Sequence, residues 1–509
     1  MGNHLFDLIR SRMPAPEARF ALLDDGRQYS YRDVLDASAR FANALVGLGV
    51  KPGDRVAVQV EKSIEALMLY LGTVRAGAIF LPLNSAYTPA EIAYFLGDAE
   101  PAVFVCDPAK ADALRPFAEK AGARLETLGV GHGSLRDKAE AASASFADVA
   151  RGPDDLAAIL YTSGTTGRSK GAMLSHDNLS SNSLTLVDYW RFTRDDVLLH
   201  ALPIFHTHGL FVATNVVLFS GASMILLPKF DPEQIFRYLP EATSMMGVPT
   251  FYVRLLQDQR LTPASTKHTR LFVSGSAPLL AETHREWRER TGHAILERYG
   301  MTETNMNTSN PYDGDRIAGT VGFPLPGVSA RVVDPETGKP LAAEEIGMIE
   351  VKGPNVFKGY WRNPEKTAAE FRPDGFFITG DLGKIDRAGY VHIVGRGKDL
   401  IITGGYNVYP KEVETEIDEM PGVIESAVIG VPHPDFGEGV TAVVVCRPGA
   451  EITAKGIATA LEQRLAKFKQ PKQVFIVPEL PRNTMGKVQK NLLREQYKDI
   501  YAAKLKAGE

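Results

Sequence analysis

Residues 162–170 read Thr-Ser-Gly-Thr-Thr-Gly-Arg-Ser-Lys, crowding hydroxyls, glycines and a lysine into one short run. Backbone N–H groups beside glycine form concave anion sites, and hydroxyls add further donors. Lysine supplies a point charge suited to phosphate. Apolar residues flank the run on both sides, over 156–160 and 172–174. It therefore reads as a loop between two strands, built to hold a polyphosphate. A Walker-type P-loop is excluded. That motif needs four residues between its glycines, then Gly-Lys-Ser/Thr opening a helix. Here only two residues separate Gly164 from Gly167, and Arg168 follows. A solvated Gly/Ser/Thr loop is the plain alternative for this run taken alone.

Four further segments carry groups able to do chemistry. Tyr299-Gly300-Met301-Thr302-Glu303 sets a carboxylate after an aromatic and a glycine. Thr379-Gly380-Asp381 is a turn ending in an acid. Gly395-Arg396-Gly397-Lys398-Asp399 precedes the glycine pair Gly404-Gly405. Pro481-Arg482-Asn483-Thr484-Met485-Gly486-Lys487 is a loop ending in a lysine. Each alone is compatible with an ordinary solvated turn.

A scaffold must bring these separate segments together. The chain has 509 residues, 44% of them apolar and 23% charged, as in globular proteins of several domains. A net charge of −4 gives no reason to expect nucleic acid or an anionic membrane as partner. The two cysteines, Cys106 and Cys446, lack metal spacing and sit in apolar runs, which fits a reducing cytoplasm. The first twenty residues lack the apolar block of a signal peptide, and no apolar run is long enough for a membrane span.

Val56, Val58 and Val60 alternate as in a strand, and Ile64, Leu67, Met68, Leu71 and Val74 recur at helical spacing. Val103-Phe104-Val105 reads as the next strand. Asp231-Pro232-Glu233-Gln234 is a helix start, with Asp as cap and Pro in the first turn. This alternation predicts layered α/β sheets. After about residue 320 the texture turns to strands and turns, a β-rich subdomain over about 320–395. From 396 the sequence predicts a compact α+β unit with helices over 410–420 and 452–468 and strands over 427–431 and 440–445. The expected division is 1–395 and 396–509. The piece over 139–150 reads as a surface connection.

The five segments occur in a fixed order, and together they resemble the adenylate-forming superfamily: acyl-CoA synthetases, carrier-protein adenylation domains and firefly luciferase. The resemblance spans about 29–490. It implies a large N-terminal domain and a small mobile C-terminal domain, with ATP, Mg²⁺ and coenzyme A as small-molecule partners. By that resemblance Thr162, Ser163, Gly164, Thr165, Thr166, Gly167 and Lys170 hold the β- and γ-phosphates. Glu303 is the Mg²⁺ ligand and Thr302 reaches the α-phosphate. Gly275, Ser276, Ala277, Tyr299, Gly300 and Met301 frame the adenine side. Asp381 accepts from the ribose hydroxyls, with Arg396 beside it. Lys487 bridges the acyl carboxylate and the α-phosphate during adenylate formation. The small domain then turns about Lys398 and presents a pantetheine tunnel at Gly404 and Gly405. Related acyl-CoA synthetases are controlled by acetylation, which marks Lys487 as a target for a lysine acetyltransferase and deacetylase.

The acid is read from the residue before Tyr299. Many relatives have glycine there, whereas this chain has Arg298. A guanidinium would fill the depth of the acyl pocket and offer paired N–H groups to a second carboxylate. Arg254, Ser276 and His206 are further candidates to line it. A buried unpaired charge is costly, so these cations argue for a short dicarboxylate. The run at 297–304 resembles the malonyl-CoA synthetases in particular, with methylmalonate as a further substrate. Two alternatives for single residues stay open: Arg298 in an ion pair with Glu297, and Arg254 turned outward. The rival functions are another short-chain acyl-CoA synthetase, a carrier-loading adenylation enzyme, and an ATP-sensing protein without catalysis.

Overall fold

A computed structural model describes residues 2–162, 169–404, 406–483 and 486–501. Two large sheets form the body. In the first, Arg55–Gln59, Ile79–Pro82, Val103–Cys106 and Arg124–Thr127 run parallel, and Leu156–Thr162 joins parallel to Ile79–Pro82. Val56, Ala57 and Val58 are all buried, so both faces of the sheet are covered, as parallel sheets require. Lys170–Ser175 turns back antiparallel to Leu156–Thr162, so the hydroxyl-rich run does connect two strands.

The second sheet has nine strands. At its centre Ser223–Leu226, Val197–His200, Ser244–Gly247, Leu271–Ser274 and Leu296–Met301 lie parallel. Their carboxyl ends deliver His200, Gly247, Ser274 and Met301 to one edge. The segments that follow hold His206, Thr250, Ser276 and Glu303, with Thr250 in the first turn of helix Pro249–Leu256. Open α/β sheets bind ligands in the crevice outside these strand ends. The helix start at 231 is observed: the Asp231 side chain accepts from the Glu233 N–H and the helix spans Pro232–Tyr238.

Beyond residue 320, the short strand Phe323–Pro324 still belongs to the nine-stranded sheet. A separate four-stranded antiparallel sheet then runs through Ser329–Val333, Gly347–Lys352, Phe377–Ile385 and Val391–Arg396. A last sheet holds Ile401–Thr403, Tyr406–Val408, Val423–His433, Gly437–Cys446 and Gln473–Val477. Helices Pro410–Asp418, Ala454–Glu462 and Lys490–Tyr497 pack with it.

Two sequence expectations need correction. The helix expected over 452–468 stops at Glu462. Leu465 and Phe468 still pack against the last core at helical spacing, but Phe468 stacks on Tyr406 at 4.7 Å and the chain has left the helix to reach it. The connection over 139–150 is not merely superficial: Asp148 is buried in an ion pair with Arg75 at 2.6 Å. Cys106 and Cys446 are both free thiols. Among the described residues no helix is long and apolar enough to cross a membrane.

Candidate active site

The edge of the two sheets gathers most of the segments singled out above. Thr162 lies opposite Lys170 at the mouth of the hydroxyl-rich loop. Ser163, Gly164, Thr165, Thr166 and Gly167 lie outside the described residues. The Lys170 ammonium sits 5.2 Å from the Tyr360 ring centre. The Tyr360 hydroxyl is 3.1 Å from Glu303 Oε1. Glu303 is buried, and burial raises its carboxyl pKa above the ordinary range. Its hydrogen-bond donor is a neutral phenol rather than a cation, so this carboxylate suits a metal ion with phosphate oxygens. Thr302 is half-buried beside it.

Tyr299, Asp381 and Arg396 form one group. The Tyr299 hydroxyl donates to Asp381, and Arg396 Nε lies 2.7 Å from the other Asp381 oxygen. Antiparallel register places Asp381 directly opposite Arg396. The Asp381 charge raises the Arg396 pKa further. Gly300 sits at a bulge where a Cβ would fall 1.9 Å from the Asn305 carbonyl oxygen, so no larger residue fits. Met301 packs half-buried against the main core.

Lys487 joins this group from nearly a hundred residues downstream. A Cβ on Gly486 would stand 3.1 Å from Thr250 Oγ1, so the lysine loop lies against the body of the molecule. Burial holds the Lys487 ammonium below the ordinary lysine range, and the Arg396 charge lowers it further while Asp381 and Asp399 oppose. Lys487 is nonetheless exposed, as a group reaching into an open cleft is.

The acyl side differs. Arg298 is 4% exposed, and its Nε and Nη2 have no hydrogen-bond partner among the described residues. Its guanidinium lies against Gly275, where a Cβ would come within 2.4 Å of Cζ. Burial pulls its pKa down to about 9. The pairing with Glu297 does not occur. Neighbours on a strand face opposite ways, and Glu297 accepts instead from the Gly319 N–H at 3.3 Å. Burial raises its carboxyl to about 8.

His206 is lowered to about 4 by burial and by the Arg298 and Lys487 charges, so it is neutral. His208, not assigned to the pocket from sequence, is fully buried there. Its Nδ1 lies 3.2 Å from Ser276 Oγ, and its Nε2 has no partner among the described residues. Ser276 takes a left-handed φ of 72° and is engaged by this histidine; Ala277 beside it is half-buried. Arg254 is not enclosed as Arg298 is. On helix Pro249–Leu256 the buried residues are Tyr252, Leu255 and Leu256, and Arg254 shares the face of Thr250, which meets the lysine loop. It is exposed, with no side-chain hydrogen bond or ion pair to another described residue, one turn from Thr250.

Two family models match the chain: AMP-binding enzyme over residues 10–361 and AMP-binding enzyme C-terminal domain over 412–487. The chain belongs to the AMP-binding enzyme family. Among curated family members it is 34% identical to a malonate–CoA ligase of Arabidopsis thaliana, over 94% of this chain and 86% of that one. It is 37% identical to a feruloyl-CoA synthase of Amycolatopsis, over 96% and 97%. Among solved structures, ATP-bound MatB from Rhodopseudomonas palustris is 67% identical, covers 98% of this chain and 100% of its own, and superposes with a TM-score of 0.97. The apo form of MatB, at the same identity, gives 0.86. Sequence is equal in the two comparisons, so the lower score reflects arrangement.

The family frame also locates the remaining residues. Lys398 lies in the short turn Gly397–Asp399, where burial lowers its pKa. Asp399 pairs with Arg494 at 2.6 Å, tying that turn to the last helix. Gly404 has a left-handed φ of 57°, and its N–H donates to the Phe436 carbonyl at 2.8 Å. Gly405 lies outside the described residues. Sequence reasoning missed Tyr360 and His208. A Gly-Tyr-Trp run marked the first, and alternation with His206 marked the second.

Proposed function

We propose that this chain is a malonate–CoA ligase that forms malonyl-CoA in two steps through malonyl-AMP. The observation that carries this reading is the buried Arg298 with unpartnered donors. Curated relatives named for malonate and for ferulate match to a similar degree, whereas MatB matches at 67% identity. A guanidinium closed inside an acyl pocket is costly beside an alkyl or aryl group and is neutralised by a second carboxylate. Methylmalonate is the second acid of this proposal. His206 stays neutral and keeps an N–H to donate, and His208 offers a second ring nitrogen.

In the first step a malonate oxygen attacks the α-phosphorus of ATP. The bond to pyrophosphate breaks and the mixed anhydride forms. Lys487 stabilises the negative charge that builds between carboxylate and phosphate. Thr302 supports the α-phosphate, and Thr162 and Lys170 the outer phosphates. Asp381 accepts from the ribose hydroxyls, positioned by Arg396 and Tyr299. Mg²⁺ held by Glu303 would supply neutralising charge to the phosphates. In the second step the CoA thiolate attacks the acyl carbonyl and the C–O bond to AMP breaks. For this the small domain turns about Lys398, and the backbone at Gly404 and Gly405 admits pantetheine. The agreement with ATP-bound MatB supports the described arrangement as the one for the first step.

Acetylation of Lys487 by a lysine acetyltransferase would remove its charge and stop adenylation until a deacetylase restored it. The cytoplasm is the compartment of this reading, in keeping with two free thiols.

The test is a panel of short mono- and dicarboxylic acids, assayed for CoA-dependent AMP release. Malonate is expected to give the highest kcat/KM, with methylmalonate next. Preference for acetate, butyrate or an aryl acid overturns the malonate assignment. Turnover only with a pantetheinylated carrier protein overturns the ligase.

A further inference from the structure

The segment Phe357-Lys358-Gly359-Tyr360-Trp361 is absent from the roles above, yet it touches both halves of the phosphate site. On one side it runs beside the strand that leaves the hydroxyl-rich loop. Met173 N–H donates to the Gly359 carbonyl at 2.9 Å, Lys358 N–H to Met173 at 2.8 Å, and Trp361 N–H to Gly171 at 2.7 Å. On the other side the Phe357 N–H donates to the Glu303 carbonyl at 2.8 Å. One short stretch is thus bonded through its backbone to the phosphate strand and to the residue proposed to hold Mg²⁺.

Tyr360 repeats this bridge with its side chain. It is 4% exposed. Its ring lies 5.2 Å from the Lys170 ammonium. Its hydroxyl lies 3.1 Å from Glu303 Oε1 and 2.6 Å from Glu370 Oε2. A phenol has one proton, so it donates to one carboxylate at a time. Glu370 is itself paired with Lys366 at 2.6 Å and lies in a helix outside the phosphate site. The tyrosine therefore has a resting partner that leaves Glu303 free.

We propose that Tyr360 is a positioning residue that couples the phosphate-binding lysine to the metal carboxylate. Its ring orients Lys170, and its hydroxyl rests on Glu370 and turns to Glu303 as a cation arrives, fixing the rotamer in which that carboxylate ligates. This rests on the reading of Glu303 as the Mg²⁺ ligand and of Lys170 as a phosphate ligand. Two substitutions separate the two arms. Tyr360→Phe keeps the ring and loses the hydroxyl, whereas Tyr360→Leu loses both.

The experiment is calorimetric binding of ATP to the full chain, first with EDTA and then across a Mg²⁺ titration. Removing an outer partner of a metal ligand typically costs about 10–100-fold in metal affinity. Losing a cation–ring contact costs about two- to fivefold. Tyr360→Phe should therefore bind metal-free ATP as wild type does but need at least about tenfold more Mg²⁺ for half its effect. That unchanged metal-free binding also shows the variant to be folded. Tyr360→Leu should in addition weaken metal-free ATP binding. A Mg²⁺ requirement in Tyr360→Phe equal to that of wild type overturns the proposal. Wild-type ATP binding indifferent to Mg²⁺ overturns instead the reading of Glu303.

Discussion

The two ends of the active-site cleft handle charge in opposite ways. On the nucleotide side the acid at the ribose position is already matched, with Asp381 held by Arg396 at 2.7 Å and by the Tyr299 hydroxyl. On the acyl side Arg298 is buried to 4% exposure with two unpartnered donors, beside a histidine whose Nε2 also lacks a partner among the described residues. A matched site is preorganised and indifferent to which acid arrives. An unmatched one is costly until a ligand of opposite charge completes it. Nucleotide chemistry common to the family and selection of one acid are thereby separated in space.

This contrast can be broken by a residue that serves both ends. Lys487→Ala should lower adenylation by about 10²–10³ with every acid, since one electrostatic stabiliser of the developing charge is lost. Pyrophosphate release reads this step. The same variant supplied with malonyl-AMP and CoA should form thioester at close to the wild-type rate. An equal defect from malonyl-AMP would remove the lysine from its assigned step. The rate of adenylation should also decline with rising pH below the ordinary lysine range, because burial and Arg396 lower the Lys487 pKa.

A smaller effect sharpens the contrast within one strand. Glu297 and Arg298 are neighbours; the acid accepts from a backbone N–H, while Nε and Nη2 of the cation have no acceptor among the described residues. The Glu297 carboxyl titrates at about 8 in the fold, above its ordinary 4.5, because it is buried. Folding thus favours the protonated form. That contribution is complete below about 4.5 and is lost as pH rises through about 8. Glu297→Gln is neutral throughout, so its melting temperature should fall less than that of wild type between pH 5 and 8.5, by about 2–4 °C. Parallel curves for the two proteins would contradict a buried, protonated Glu297.

Much of this was legible in the residues. The hydroxyl-rich run lies between two strands, as its apolar flanks require, and Asp231 caps the helix that Pro232 opens. The order of the five segments carried the family. The pairing of Glu297 with Arg298 stayed open because strand Leu296–Met301, on which neighbours face apart, was not recognised from the residues. Arg254 was not fixed by its segment alone, since the helix that carries it puts Tyr252, Leu255 and Leu256 inward and leaves the guanidinium exposed one turn from Thr250. Tyr360 was missed for another reason. Its partners Lys170 and Glu303 come from distant parts of the chain, so no local pattern brings the three together. The length of the helix from Ala454 was overestimated because apolar spacing persists after the helix itself has ended.

The ratio of kcat/KM for malonate to that for propionate, measured by pyrophosphate release in wild type and Arg298→Ala, bears most directly on the unmatched guanidinium. A site built to bind a charged substrate group rejects an analogue without it by large factors. Wild type should favour malonate by at least about 10²-fold, and the variant should bring the ratio close to one while keeping its ATP dependence. An unchanged malonate preference in Arg298→Ala would contradict the account.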